Sequence, residues 1–97
     1  MAVNQLKVVM SILKEISDGN IPKAKDYGIE EETFYNILDA MQDDGLVKNI
    51  QGANKKAVAA FTENAAITIK GMEYLNDNSA LMKTYKGLKE IREWLPF

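Results

Sequence analysis

The chain contains neither cysteine nor histidine. The first absence excludes disulfides, thiolate nucleophiles and thiolate zinc sites. The second removes the usual near-neutral acid–base group and the commonest metal ligand. No apolar run approaches the roughly 20 residues of a membrane span, and no signal-peptide core followed by a cleavage site opens the sequence. The expectation is a cytoplasmic protein with no membrane partner. A strong charge of either sign is also missing, since 12 basic against 14 acidic residues leave a formal −2. A domain whose whole surface holds phosphates would be strongly basic. Affinity for nucleic acid would have to come from a local cluster.

What remains is a sequence of 97 residues, 46% hydrophobic and 27% charged, which is close to the globular average. It has room for a single core. A domain of this size buries only roughly 60–70% of the surface its unfolded chain exposes, so core substitutions should be costly.

From Asn4 to Asp18, Leu6, Val9, Met10, Leu13 and Ile16 recur at helical spacing, and Val8 and Ile12 widen the arc. A helix touching neighbours on two sides would carry such an arc. Gly19 and Asn20 end it. Pro22 suits the first position of a short second helix, Lys23 to Tyr27, which Gly28 breaks. Glu31 to Asp43 reads as a third helix, with Phe34, Ile37, Leu38 and Met41 on its apolar face and Glu30, Glu31 and Glu32 at the positive end of its dipole. Gly45 stops it. Val47 to Gln51, the loop 52–56 and the run Ala57 to Phe61 read as a hairpin, although alanine is a poor strand former. Thr68 can cap a fourth helix, Ile69 to about Asn76. Gly71 within it costs about 1 kcal/mol against alanine and points to close packing on another backbone. After Asn78 and Ser79 a fifth helix is expected to run to about Trp94.

The expected fold is mainly α with a small β-hairpin: a winged helix-turn-helix with extra C-terminal helices. Its helix-turn-helix spans about 22–44, the wing about 46–62 and the C-terminal helices about 68–95. A generic αα-hairpin followed by a strand is the blander alternative.

The stretches Ile12-Leu13-Lys14-Glu15-Ile16 with Gly19, Ile67-Thr68 with Gly71 and Tyr74-Leu75, and Lys83 through Trp94 carry a resemblance. The chain resembles the YjcQ-like family of small winged-helix proteins from Gram-positive bacteria and their prophages. The resemblance implies a winged-helix fold and a phage or prophage origin, and it brings no established activity.

In such a fold the exposed face of the third helix enters the major groove. Here that face carries Glu32, Asn36, Asp39 and Asp43, with Tyr35 and Ala40 at its margins. Six acidic residues and no basic one lie between Glu30 and Asp44. Duplex DNA carries about one negative charge per 1.7 Å, so phosphates would be repelled there. The candidate anchors are Lys23 and Lys25 on the second helix and Lys55 and Lys56 at the wing tip. Thr33, Tyr35 and Asn36 are candidate base contacts. The leading expectation is a regulator that binds double-stranded DNA. The rival is an interaction module whose acidic face (Glu32, Asp39, Asp43) docks a basic protein, and for each of these charges an ordinary solvated surface is the plain alternative.

Leu81, Leu88 and Leu95 stand seven residues apart with Tyr85 and Ile91 nearby, a stripe that is either core or a homodimer seam. Lys83, Lys86, Lys89 and Arg92 form a loose basic flank. Asp39 and Asp43 share a face at i, i+4, yet no Gly-rich phosphate loop or nucleophile–base pair accompanies them. The sequence therefore predicts no enzyme, no cofactor and no resident metal.

Overall fold

The structure, a computed structural model, describes residues 5–50 and 64–95. Among the described residues, six α-helices and one short antiparallel β pair follow in the order α1 (Gln5–Ser17), α2 (Ala24–Tyr27), α3 (Glu31–Asp43), β1 (Val47–Lys48), β2 (Ala66–Ile67), α4 (Ile69–Asp77), α5 (Ser79–Met82) and α6 (Ile91–Trp94), with a 3₁₀ turn at Leu88–Glu90 before the last. Mainly helical with one small antiparallel pair, this order is compatible with a winged-helix arrangement.

The first helix is the hub. Val8, Met10, Ile12 and Leu13 are wholly buried, although no single stripe joins them. The reason is contact on more than one side: α3 packs against α1, as do α4 and β2. Leu6, counted on the apolar arc from spacing alone, is 50% exposed.

Three helices end by one device. Past α1, the Gly19 N–H donates to the Ile16 carbonyl at 3.0 Å and the Asn20 N–H to the Glu15 carbonyl at 2.8 Å. Past α2, Gly28 and Ile29 repeat the pattern on Lys25 and Ala24, and past α3, Gly45 and Leu46 repeat it on Gln42 and Met41. This is the Schellman arrangement, which satisfies the last carbonyls and reverses the chain sharply. It needs a left-handed residue after the helix, and Gly28 (φ 69°) and Gly45 (φ 78°) supply it without a Cβ clash.

The α2–Gly28–α3 corner thus forms as expected, with one shift. Helix α2 begins at Ala24, and Pro22 lies buried ahead of it. The Asp26 carboxylate fixes the start by accepting from the Lys23 backbone N–H at 2.8 Å. Helix α3 buries Phe34, Ile37, Leu38 and Met41, and Tyr35 with them.

Strand β1 pairs with Ala66–Ile67, in the register Val47 with Ile67 and Lys48 with Ala66. The cause is Thr68. Its N–H donates to the Leu46 carbonyl at 3.1 Å and its hydroxyl reaches the Gly45 and Leu46 carbonyls, tying the start of α4 to the end of α3. The segment entering α4 therefore lies beside the segment leaving α3. The expected strand Ala57–Phe61 and the loop 52–56 lie outside the described residues.

One expectation fails, the long fifth helix. It stops after Met82, and the chain turns at Gly87 (φ 100°) before α6. The heptad of Leu81, Leu88 and Leu95 therefore spans three separate pieces of chain. Leu95 and Ile91 are buried in the core, and Leu81, Tyr85 and Leu88 pack against it half-buried. No helix among the described residues is long and apolar enough to cross a membrane.

Candidate nucleic-acid interface

The α2–α3 corner sorts the candidate residues into four groups. Lys23 and Lys25 stand exposed on and beside α2. Thr33 and Asn36 are exposed on the first two turns of α3, together with Glu31 and Glu32. Tyr35 is not available as a base contact. It is only 5% exposed, because the buried arc of α3 is wider than the four-residue template and takes in the residue after Phe34. Lys55 and Lys56 lie outside the described residues.

The exposed side of α3 carries its acidic residues toward both ends, with Asn36 between them. Glu31, Glu32 and Asp43 are exposed and Asp39 is half-buried, with no cation between them along the helix. Helix α3 has acidic residues in its first turn, where the dipole welcomes them, and no basic residue in its last turn, where the dipole would.

Two cations reach α3 from elsewhere. A Cβ built on Gly28 would meet the Arg92 guanidinium, with Nη2 at 3.1 Å and Cζ at 3.3 Å, so the exposed Arg92 of α6 lies flat over the glycine before α3. A Cβ on Gly45 would meet Cδ of Lys70 at 3.7 Å, so the stem of this α4 lysine rests on the glycine after α3. Neither cation has an ion-pair or hydrogen-bond partner among the described residues. Sequence reasoning counted Arg92 within a diffuse basic flank and passed over Lys70. Only the fold brings them near the glycines that flank α3.

Beneath the corner runs a polar chain that sequence reasoning also missed. The Ser11 hydroxyl donates to the Tyr85 hydroxyl at 2.8 Å, and the Tyr85 hydroxyl donates to the Glu15 carboxylate. Ser11 has one proton, so the Tyr27 hydroxyl, 2.9 Å away, must be donor to it. Asn20 Nδ2 completes the set with a 2.8 Å bond to Glu15 Oε1. Ser11 and Glu15 are buried on α1, Tyr27 comes from α2 and Tyr85 from the tail. Burial pushes the Tyr27 hydroxyl well above its ordinary value of 10.0, against the pull of the Ser11 bond. The same desolvation, reinforced by the hydrogen bond to Glu15, raises Tyr85 further. Both tyrosines therefore stay protonated donors through the physiological range, and the chain acts as a clip between α1, α2 and the tail. No buried side-chain polar atom among the described residues lacks a partner.

Among the described residues, no group of three or more carboxylates gathers as a cation would require.

Comparison with known proteins gives two matches. The family model described as YjcQ protein matches residues 6–94. The chain is 30% identical over 94 residues to a Bacillus subtilis (strain 168) protein described as uncharacterized protein YjcQ, covering 96% of this chain and 99% of that one. No solved structure gives a significant match.

Proposed function

The chain belongs to the YjcQ family, and from that premise we infer that it is a small non-catalytic winged-helix regulator, of phage or prophage type and cytoplasmic, that binds double-stranded DNA through α2 and the first turns of α3. The observation that carries this reading is the corner itself. A short helix, a Schellman glycine and a 13-residue helix with Thr33 and Asn36 exposed near its start, followed at once by an antiparallel pair, is the arrangement that seats a helix in a major groove. In this reading Lys23 and Lys25 contact phosphates while Thr33 and Asn36 face base edges. Lys55 and Lys56, outside the described residues, are further candidates for phosphate contact on sequence grounds.

A second reading has its own observation. The acidic residues on the exposed side of α3 (Glu32, Asp39, Asp43) repel phosphate and suit a cationic protein segment.

One titration separates the two. A labelled mixed-sequence duplex and a labelled lysine-rich peptide are each titrated with the protein at low salt and followed by anisotropy. The regulator reading expects duplex binding in the micromolar range or tighter, weakening as salt rises, and made tighter by the triple change Glu32→Lys, Asp39→Lys, Asp43→Lys. Absence of duplex binding up to tens of micromolar refutes it. Peptide binding that the same triple change abolishes supports the second reading instead.

A further inference from the structure

We propose that the cations of the C-terminal segment, Lys83, Lys86, Lys89 and Arg92, dock on the acidic side of α3 in a second copy of the chain. The product is a two-fold dimer in which each copy gives one surface and receives the other. The proposal deepens the second reading above, rests on it, and names its cationic partner as the same chain.

Every third residue from Met82 to Trp94 turns inward: Met82, Tyr85, Leu88, Ile91 and Trp94 all belong to the core or pack against it. The residues one place further on, Lys83, Lys86, Lys89 and Arg92, are all exposed. On a single α-helix a row at this spacing would drift by about 60° per step. Here α5 ends at Met82, the chain turns at Gly87, and a 3₁₀ turn leads into α6. Such a turn has about three residues per revolution, which holds the row in register with the buried one. Glu90 and Glu93, also exposed, stand one place further round. The fold gathers into one strip what spacing alone leaves as a loose flank.

The complementary surface is α3. Six acidic residues and no basic one lie between Glu30 and Asp44, with Glu30 to Glu32 at the start of the helix and Asp39, Asp43 and Asp44 toward its end. Opposite charges are therefore sorted onto separate segments, where an ordinary solvated surface intersperses them. Nor do they cancel within the chain. Among the described residues the one ion pair joins Lys14 to Asp18, so strip and helix do not neutralise each other internally.

Strip and helix nevertheless adjoin. The Arg92 guanidinium lies over Gly28, two residues before the first of these acids. A two-fold axis along the line where surfaces of opposite sign meet sets each surface against its opposite on the partner. The contact is made twice and closes at two copies. Exposed ion pairs contribute little each, so the dimer is weak and sensitive to salt.

Sedimentation velocity follows the chain up to roughly 1 mM protein. It is run at about 10 mM and about 150 mM salt, between which the screening length falls from about 30 to about 8 Å. Wild type should form dimers at the lower salt and dissociate at the higher. Two charge-reversed proteins test the contact: a tail variant (Lys83→Glu, Lys86→Glu, Lys89→Glu, Arg92→Glu) and a helix variant (Glu32→Lys, Asp39→Lys, Asp43→Lys). Each alone opposes like charges and should be monomeric. Mixed in equal amounts they restore both contacts, and a heterodimer should appear. Thermal melting by circular dichroism checks that each is folded. If a reversed protein is not, changing the four tail cations to glutamine takes its place. Each exposed pair alters an equilibrium by about 1.4-fold or more, so losing four cations from each of two contacts should weaken association at least about tenfold. Dimerisation unchanged in either variant, no heterodimer in the mixture, or growth beyond two copies overturns the proposal. A wild type that stays monomeric overturns it too. If that monomer still binds the lysine-rich peptide, the acidic-face reading stands; if it does not, both fall.

Discussion

Replacing Gly71 by alanine sets two opposed effects against each other at one position. Gly71 lies inside α4, where alanine is favoured by about 1 kcal/mol, so helix propensity alone predicts a stabilised protein. Packing predicts the reverse. A Cβ at Gly71 would stand 2.7 Å from Cγ1 of Ile67 and nearer still to the Leu46 carbonyl oxygen. That oxygen cannot easily withdraw, because it accepts from the Thr68 N–H at 3.1 Å and from the Thr68 hydroxyl at 3.0 Å. Overpacking of this kind costs about 1–3 kcal/mol, and weakening either Thr68 bond adds about 1 kcal/mol. The net expectation is a loss of about 2 kcal/mol, which for a domain of this size lowers the melting temperature by roughly 8–16 °C. Circular dichroism at 222 nm during heating, with urea unfolding in parallel, measures it. Asn76→Ala, at an exposed position on the same helix, serves as the reference and should move stability by no more than about 0.5 kcal/mol. A Gly71→Ala protein that melts at or above the wild-type temperature would mean that α4 does not press on the end of α3.

The buried polar chain yields two more predictions. Tyr85→Phe removes the donor to Glu15 and the acceptor for Ser11, so unfolding free energy from urea titration should fall by about 1–3 kcal/mol; an unchanged midpoint would deny the clip any energetic role. Alkaline titration followed by tyrosine absorbance should resolve Tyr27 and Tyr85 as late groups. Their folded values are raised above the ordinary 10.0, so the stability they contribute is complete below that pH and is lost as pH climbs past it. Ionisation of all four tyrosines near pH 10 in a protein still folded would contradict this.

Features set by short-range pattern were legible in the sequence. The third helix was expected over Glu31–Asp43 and occupies those residues, because four apolar side chains at i, i+3, i+4, i+7 between two glycines leave little choice. Thr68 caps α4 through a 3.0 Å bond from the Gly71 N–H, also as the local pattern implies. Features set by distant chain were not legible. The partner of β1 is chosen by the Thr68 hydrogen bonds to residues more than twenty positions earlier. Burial of Ser11 and Glu15 depends on Tyr27, Tyr85 and Asn20 arriving around α1, and periodicity treats both as surface. The turn at Gly87 was hidden by residues on either side that are each compatible with helix. Of the candidate site, Lys23, Lys25, Thr33 and Asn36 are exposed as expected and Tyr35 is not, while Arg92 and Lys70 come near Gly28 and Gly45 only once α4 and α6 have folded back.

Lys7 meets the opposite end of the described fold. Its ammonium donates to the Trp94 carbonyl at 3.1 Å and stands 5.6 Å from the centre of the indole ring, across 87 positions of chain. Beside it Trp94 sets its ring edge-on to Tyr85, and Leu95 is buried in the core. During synthesis, then, the first helix leaves the ribosome long before the residues that cover it, and it waits with an uncovered greasy flank. The α2–α3 corner can form from neighbouring residues, while the covering of α1 by Trp94 and Leu95 needs contacts across nearly the whole chain.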